Sequence, residues 1–156
     1  MRIVIAEDDP LLREGLAPLL RAESLDVVAT TDGPDAFLAA VDAHAPNVAI
    51  VDVRMPPTHT DEGITAAVEA RRRQPDLAVL VLSAYVEQAF ATELLARGAI
   101  RLGYLLKERV GRVEQFLDAL HRVANGGTAI TDRADRRVTA VLRYLEDTQR
   151  RGPAVP

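Results

Sequence analysis

Ala49-Ile50-Val51-Asp52-Val53-Arg54-Met55-Pro56-Pro57 is the stretch on which the reading of this chain turns. An apolar run over 48–51 stops on a carboxylate, and a proline pair follows. An unbroken apolar run of that length marks a strand covered on both faces. Such a strand has no reason to end on an acid unless the acid emerges at a site. Asp52 is therefore read as a chemical acceptor at the mouth of an α/β sheet.

Upstream of that stretch, residues 3–6 form a first strand, closed by Glu7-Asp8-Asp9-Pro10. Asp9 suits a helix N-cap and Pro10 the first helical position. Leu11, Leu12, Gly15, Leu16, Leu19 and Leu20 then recur at helical spacing, and Pro18 is expected to kink or shorten the last turn. Residues 27–29 read as a second strand. Gly33-Pro34 opens a helix with Phe37, Leu38 and Val41 inward.

Downstream, residues 53–62 are polar and proline-bearing and read as a loop. A helix over 63–73 follows, with Ile64, Ala67 and Val68 facing in. Residues 77–82 are the most apolar run and read as a central strand ending on Ser83. A helix over 87–97 is closed by Gly98, a strand over 102–106 ends on Lys107, and a helix over 111–125 ends at Gly126-Gly127. Strand and helix alternate five times, which is the pattern of a doubly wound five-stranded parallel sheet with helices on both faces. Residues 1–126 are read as this domain. Residues 127–156 are read as a linker and C-terminal amphipathic helix, carried by Val138, Val141, Leu142 and Leu145. That helix would serve dimerisation or lead toward a further domain.

Composition narrows the classes. The 156 residues, 48% of them hydrophobic, suffice for one core and a short appendage. A net charge of −4 argues against nucleic acid or an acidic membrane as a direct partner of this chain. There is no cysteine, so disulfides and thiolate metal sites are excluded. Neither a signal peptide nor an apolar stretch near the ~20 residues of a membrane span is visible, and the default location is the cytoplasm.

Four of the five strands end on a polar or ionisable group: Glu7-Asp8, Asp52, Ser83 and Lys107. In an open parallel sheet, ligands bind outside the carboxyl ends of the strands, where strand order reverses. Each residue alone has an ordinary reading as a cap, a turn or a solvated charge. Their coincidence at one sheet edge is what points to a site. Crowded carboxylates require a cation, and a hard ion with oxygen ligands fits, Mg²⁺ first, with Mn²⁺ as the alternative. Asp52 would then act as nucleophile toward a phosphoryl group, with Lys107 and the metal offsetting charge and Ser83 donating a hydrogen bond.

Taken together, Glu7-Asp8, Asp52 with Met55-Pro56, Ser83-Ala84 and Gly103-Tyr104-Leu105-Leu106-Lys107 resemble the motif set of the receiver domain of bacterial two-component response regulators, over residues 1–126. Asp9-Pro10-Leu11-Leu12-Arg13-Glu14-Gly15 leans toward the subfamily with a C-terminal LuxR-type helix-turn-helix. The resemblance implies a flavodoxin-like strand order 2-1-3-4-5 and Asp52 as phosphoacceptor. It implies Mg²⁺ held by Glu7, Asp8, Asp52 and the backbone carbonyl of Arg54. Ser83 becomes the switch hydroxyl, Lys107 the phosphoryl-binding lysine and Tyr104 the switch aromatic. A sensor histidine kinase is the implied donor, and a homodimer that depends on phosphorylation the implied assembly. The readout would be the face built from residues 86–120. The chain would catalyse only its own phosphorylation and dephosphorylation, with no separate substrate as an enzyme would have.

Departures from the family pattern are a 53–62 loop about three residues longer than usual, a 98–102 connection about two residues long in excess, and Pro18. His59, in the long loop, reads more readily as a solvated residue than as a catalytic one. A helix-turn-helix module needs about 60 further residues, so a truncated transcription regulator and a stand-alone receiver both fit, the first slightly better. A flavin-binding protein of the same topology would want a hydroxyl-rich phosphate-cradling turn where Glu7-Asp8-Asp9 stands. An aspartyl phosphatase would want a second acid directly after Asp52, where the chain has Val53-Arg54-Met55.

Overall fold

The computed structural model describes residues 1–84, 96 and 100–130. Among the described residues, six strands form one parallel sheet: β1 (Arg2–Ala6), β2 (Asp26–Thr31), β3 (Val48–Asp52), β4 (Ala78–Ser83), β5 (Leu102–Leu106) and β6 (Thr128–Ile130). Their spatial order is β2-β1-β3-β4-β5-β6. The described helices are α1 (Pro10–Ala22), α2 (Pro34–His44), α3 (Glu62–Arg73) and α4 (Val113–Ala124), with a 3₁₀ turn at Lys107–Gly111. The helices expected over 87–97 and 132–151 lie outside the described residues.

Period-2 alternation sends successive strand residues to two separate cores. Val4, Ala49, Val51, Val79 and Val81 pack with Phe37, Val41, Ile64 and Ala67 of α2 and α3. Ile3, Ile5, Ile50, Leu80 and Leu82 pack with Leu16 and Leu20 of α1 and Phe116 and Leu120 of α4. Every residue of β3 and β4 is buried, as a strand covered on both faces requires.

The parallel sheet and the 2-1-3-4-5 order stand, and β6 extends them. Its ladder pairs Leu102 with Thr128, Gly103 with Ala129 and Tyr104 with Ile130. The sheet therefore runs into the segment read as linker. Three residues after a glycine pair are too short to show strand alternation. Gly126, at φ 97°, makes the left-handed turn that sends the chain from α4 into β6. At α1 the expected cap is present: the Asp9 side chain accepts from the Leu11 N–H at 3.0 Å. Pro18 lies within α1 and does not end it; the helix continues to Ala22. Leu11, counted in the apolar stripe, is 82% exposed at the first turn. α4 begins at Val113, because Lys107–Gly111 winds as 3₁₀ before it.

Candidate functional site

Strand order reverses between β1 and β3, so the crevice beyond their carboxyl ends is where a doubly wound sheet opens to ligand. The register places Ala6 beside Val51, which brings Glu7 next to Asp52. Asp52 in turn pairs with Leu82, and Ser83 with Leu106, so the hydroxyl and Lys107 follow at the same edge. One ligand oxygen from each of Glu7, Asp8 and Asp52 falls within 4.8 Å of the others. The Lys107 ammonium bridges two of them, 3.0 Å from Glu7 Oε1 and 3.1 Å from Asp52 Oδ2. Glu7, Asp52 and Ser83 are buried, and so is the Tyr104 ring on the α2–α3 side of the sheet. Arg54 enters through its backbone N–H, which donates to Asp52 Oδ1 at 3.3 Å.

Burial decides the electrostatics. It pushes the Asp52 carboxyl from 3.8 up to about 8, with the adjacent Asp8 side chain and the Glu7 charge adding to the rise and Lys107 opposing it. For Lys107, burial favours the neutral amine but is outweighed by Glu7 and then Asp52, which hold the ammonium above its ordinary range. Without further positive charge, burial and the neighbouring acids thus favour the protonated form of Asp52. Glu7 Oε2 is buried and makes no hydrogen bond among the described residues. An orphaned buried carboxylate oxygen beside two more acids, all hard oxygen donors, fits a divalent cation of the Mg²⁺ type.

The loop from Val53 to α3 is more ordered than its polar composition suggests. Glu62 Oε2 accepts from the Thr58 N–H and the Thr58 hydroxyl, each at 2.6 Å, and Oε1 accepts from the Thr60 N–H at 2.9 Å. These bonds hold the Glu62 carboxyl down at about 2, the Thr58 hydroxyl contributing most. The Gly63 N–H donates to the Val53 carbonyl at 2.9 Å, and a Cβ on Gly63 would overlap the Asp52 carbonyl oxygen. Only glycine lets the loop return this close to the strand end that carries Asp52.

His59, expected to be solvated, keeps about half of its side chain exposed. Its Nε2 nevertheless lies 3.1 Å from Asp8 Oδ2. The clasp of Thr58 and Thr60 onto Glu62 was not legible in the sequence, where hydroxyls and an acid are ordinary in a solvated loop. The His59–Asp8 contact spans 51 positions and had no local sign.

The family model of the response regulator receiver domain matches residues 3–120. This chain belongs to that family. The receiver is 33% identical over 152 residues to the transcriptional regulatory protein DegU of Brevibacillus brevis, covering 96% of this chain and 61% of that protein. It therefore spans less than two thirds of the regulator's length. The solved signal receiver domain of a Mycobacterium tuberculosis NarL response regulator matches at 35% identity and a TM-score of 0.63, covering 77% of this chain and 95% of that one. A structure of RcsB dimers bound to DNA matches at 25% identity and a TM-score of 0.71, covering 92% of this chain and 68% of that one. Among the described residues, no helix is long and apolar enough to cross a membrane.

Proposed function

We propose that this receiver accepts a phosphoryl group on Asp52 from a sensor histidine kinase and, within a longer regulator, controls transcription. The observation that carries this reading is the Glu7–Asp8–Asp52 group, buried at Glu7 and Asp52, with Lys107 bridging those two at the switch point of the sheet. In the transfer, an Asp52 carboxylate oxygen attacks the phosphorus of a phosphohistidine. The new P–O bond forms as the P–N bond breaks, and the imidazole nitrogen leaves with the electron pair and picks up a proton. Lys107, already 3.1 Å from Asp52, is placed to follow the phosphoryl oxygens and offset their charge. Ser83 lies at the end of β4, and its hydroxyl would donate to the new phosphoryl group.

Glu7, Asp8, Asp52 and the Arg54 carbonyl are the residues that would hold Mg²⁺ or Mn²⁺. When bound, the ion would offset acid–acid repulsion and charge on the phosphoryl oxygens. Asp9 is occupied as the cap of α1 and is left out of this set. Phosphorylation adds charge and three acceptor oxygens in the crevice. Movement of Ser83 toward them, with Tyr104 following, would change the face on the far side of β5 and favour a homodimer. The transcriptional output rests on the relatives: DegU is a transcriptional regulator, and the RcsB structure holds dimers on DNA.

The test is intact-mass spectrometry after incubation with Mg²⁺ and a small acyl phosphate. Wild type gains one phosphoryl group, and Asp52→Ala gains none. An unmodified wild type, or an Asp52→Ala variant that is still modified, sinks the reading.

A further inference from the structure

The long loop does more at the site than lie over it. Its far end returns to the residue that follows Asp52, through Gly63 N–H to Val53 O at 2.9 Å, and an inner turn closes through His59 N–H to Met55 O at 3.0 Å. Its middle is closed by the three hydrogen bonds into Glu62. At the apex, His59 takes a left-handed backbone, φ 55°, a conformation that histidine adopts more readily than most side chains. From there its Nε2 lies 3.1 Å from Oδ2 of Asp8, a residue of the β1–α1 turn. A carboxylate only accepts, so the bond runs from the imidazole Nε2–H to Asp8 Oδ2.

Of the three clustered acids, Asp8 is the one whose side chain reaches solvent, 26% exposed against 0% for Glu7 and 3% for Asp52. Held only by water it would sample several rotamers. A donor on Oδ2 restrains the carboxylate while it contacts Asp52. A loop contact made by chance would not need a backbone turned to a left-handed conformation and a clasp holding it there.

Resting on the receiver reading above, we infer that His59 is a positioning residue: it orients the Asp8 carboxylate and so pre-forms the divalent-cation site, acting from outside the ligand shell. Partners of this outer kind typically alter metal affinity ~10–100-fold, and a half-exposed imidazole belongs at the lower end.

The test uses the full chain, stripped with chelator and titrated with Mn²⁺, with free Mn²⁺ followed by electron paramagnetic resonance. His59→Asn keeps a side chain suited to positive φ but too short to reach Asp8. Its Mn²⁺ dissociation constant is expected to rise about tenfold. Its phosphorylation rate by a small acyl phosphate at saturating Mn²⁺ should stay within about twofold of wild type, because the reacting groups are intact. His59→Gln, which restores an N–H of similar reach, should recover part of the affinity. Glu62→Ala, which opens the clasp and touches none of the acids, should weaken Mn²⁺ binding in the same direction. In an Asp8→Asn background, His59→Asn should add nothing further.

An unchanged or tighter dissociation constant in His59→Asn overturns the inference while leaving the receiver reading in place. So does a saturated rate that falls as far as the affinity. A wild type that neither binds Mn²⁺ nor becomes phosphorylated overturns both.

Discussion

Two acid–base clusters in this receiver have nearly the same geometry and opposite meaning. At the crevice, Lys107 reaches Glu7 and Asp52 at 3.0 and 3.1 Å. On the outer face of α3, Glu69 is gripped by Arg72 at 2.7 Å and by Arg73 at 2.9 Å, and Arg73 also reaches Asp42 at 2.8 Å. By distance alone the surface cluster is the stronger. Burial reverses the order. In the crevice, Glu7 and Asp52 are buried and the acids outnumber the lysine, so burial drives the Asp52 carboxyl up to about 8. On the surface, hydrogen bonds from Arg72 and then Arg73 pull Glu69 down to about 2, in a setting where water and salt do most of the solvation. A strained carboxylate is a site in waiting; a satisfied one is a solvated face.

The largest effect expected from this contrast comes from Asp52. Its folded pKa is raised above the unfolded value, so its contribution to stability is fully present below about 3.8 and is lost as pH climbs through about 8. In chelator, the unfolding free energy of wild type from urea titration should therefore fall across that window, by up to about 1.4 kcal/mol per pH unit. Asp52→Asn carries no proton to lose and should flatten the profile. At pH 8 it should be more stable than wild type by a few kcal/mol while accepting no phosphoryl group. Saturating Mg²⁺ should flatten the wild-type profile as well. If the two profiles superimpose in chelator, the crevice is not the electrostatically strained member of the pair.

Lys107→Met comes next. It leaves Glu7 and Asp52 facing each other in a buried crevice with their common counter-charge removed. Removing one partner of a fully buried pair costs ~3–5 kcal/mol; Lys107 keeps 24% of its side chain exposed, so a loss nearer ~2 kcal/mol is expected near neutral pH. Phosphorylation should drop sharply even at saturating Mg²⁺, because the cation that meets the phosphoryl oxygens is gone. Urea unfolding and phosphorylation rate, measured on one preparation, separate the two losses.

Much of this was legible in the chain. Apolar runs that stop on Glu7, Asp52, Ser83 and Lys107 marked both the sheet and the edge at which these groups meet, because a residue buried on two faces and one that leaves the sheet differ in kind. What stayed hidden depends on distance or brevity. β6 is three residues long and follows a glycine pair, too short for a period to show. The clasp of the long loop uses Thr58, Thr60 and Glu62, residues ordinary in any solvated segment, and only their closure onto one carboxylate gives them a role. The pairing of His59 with Asp8 is set by tertiary structure alone. Gly63 read as a helix start; its real constraint is the Asp52 carbonyl beneath it.

The smallest effect belongs to the surface cluster, and it is the sharpest test of the comparison because distance argues the other way. Glu69→Ala removes the hydrogen bonds from two arginines, all 2.9 Å or shorter. Its folded pKa is depressed, so its contribution is present above the unfolded value of 4.5 and is lost as pH falls toward about 2. At neutral pH that contribution is at its fullest, yet exposed side chains must be ordered to make these bonds, and ions screen them. The substitution should leave the urea midpoint at neutral pH close to wild type, any small shift should vanish in molar salt, and phosphorylation of Asp52 should be unchanged. A midpoint loss as large as that of Lys107→Met, persisting in high salt, would mean that the arginine cluster clamps α3 to α2 through Asp42 as a structural element, and that short distance, not burial, ranks the two clusters.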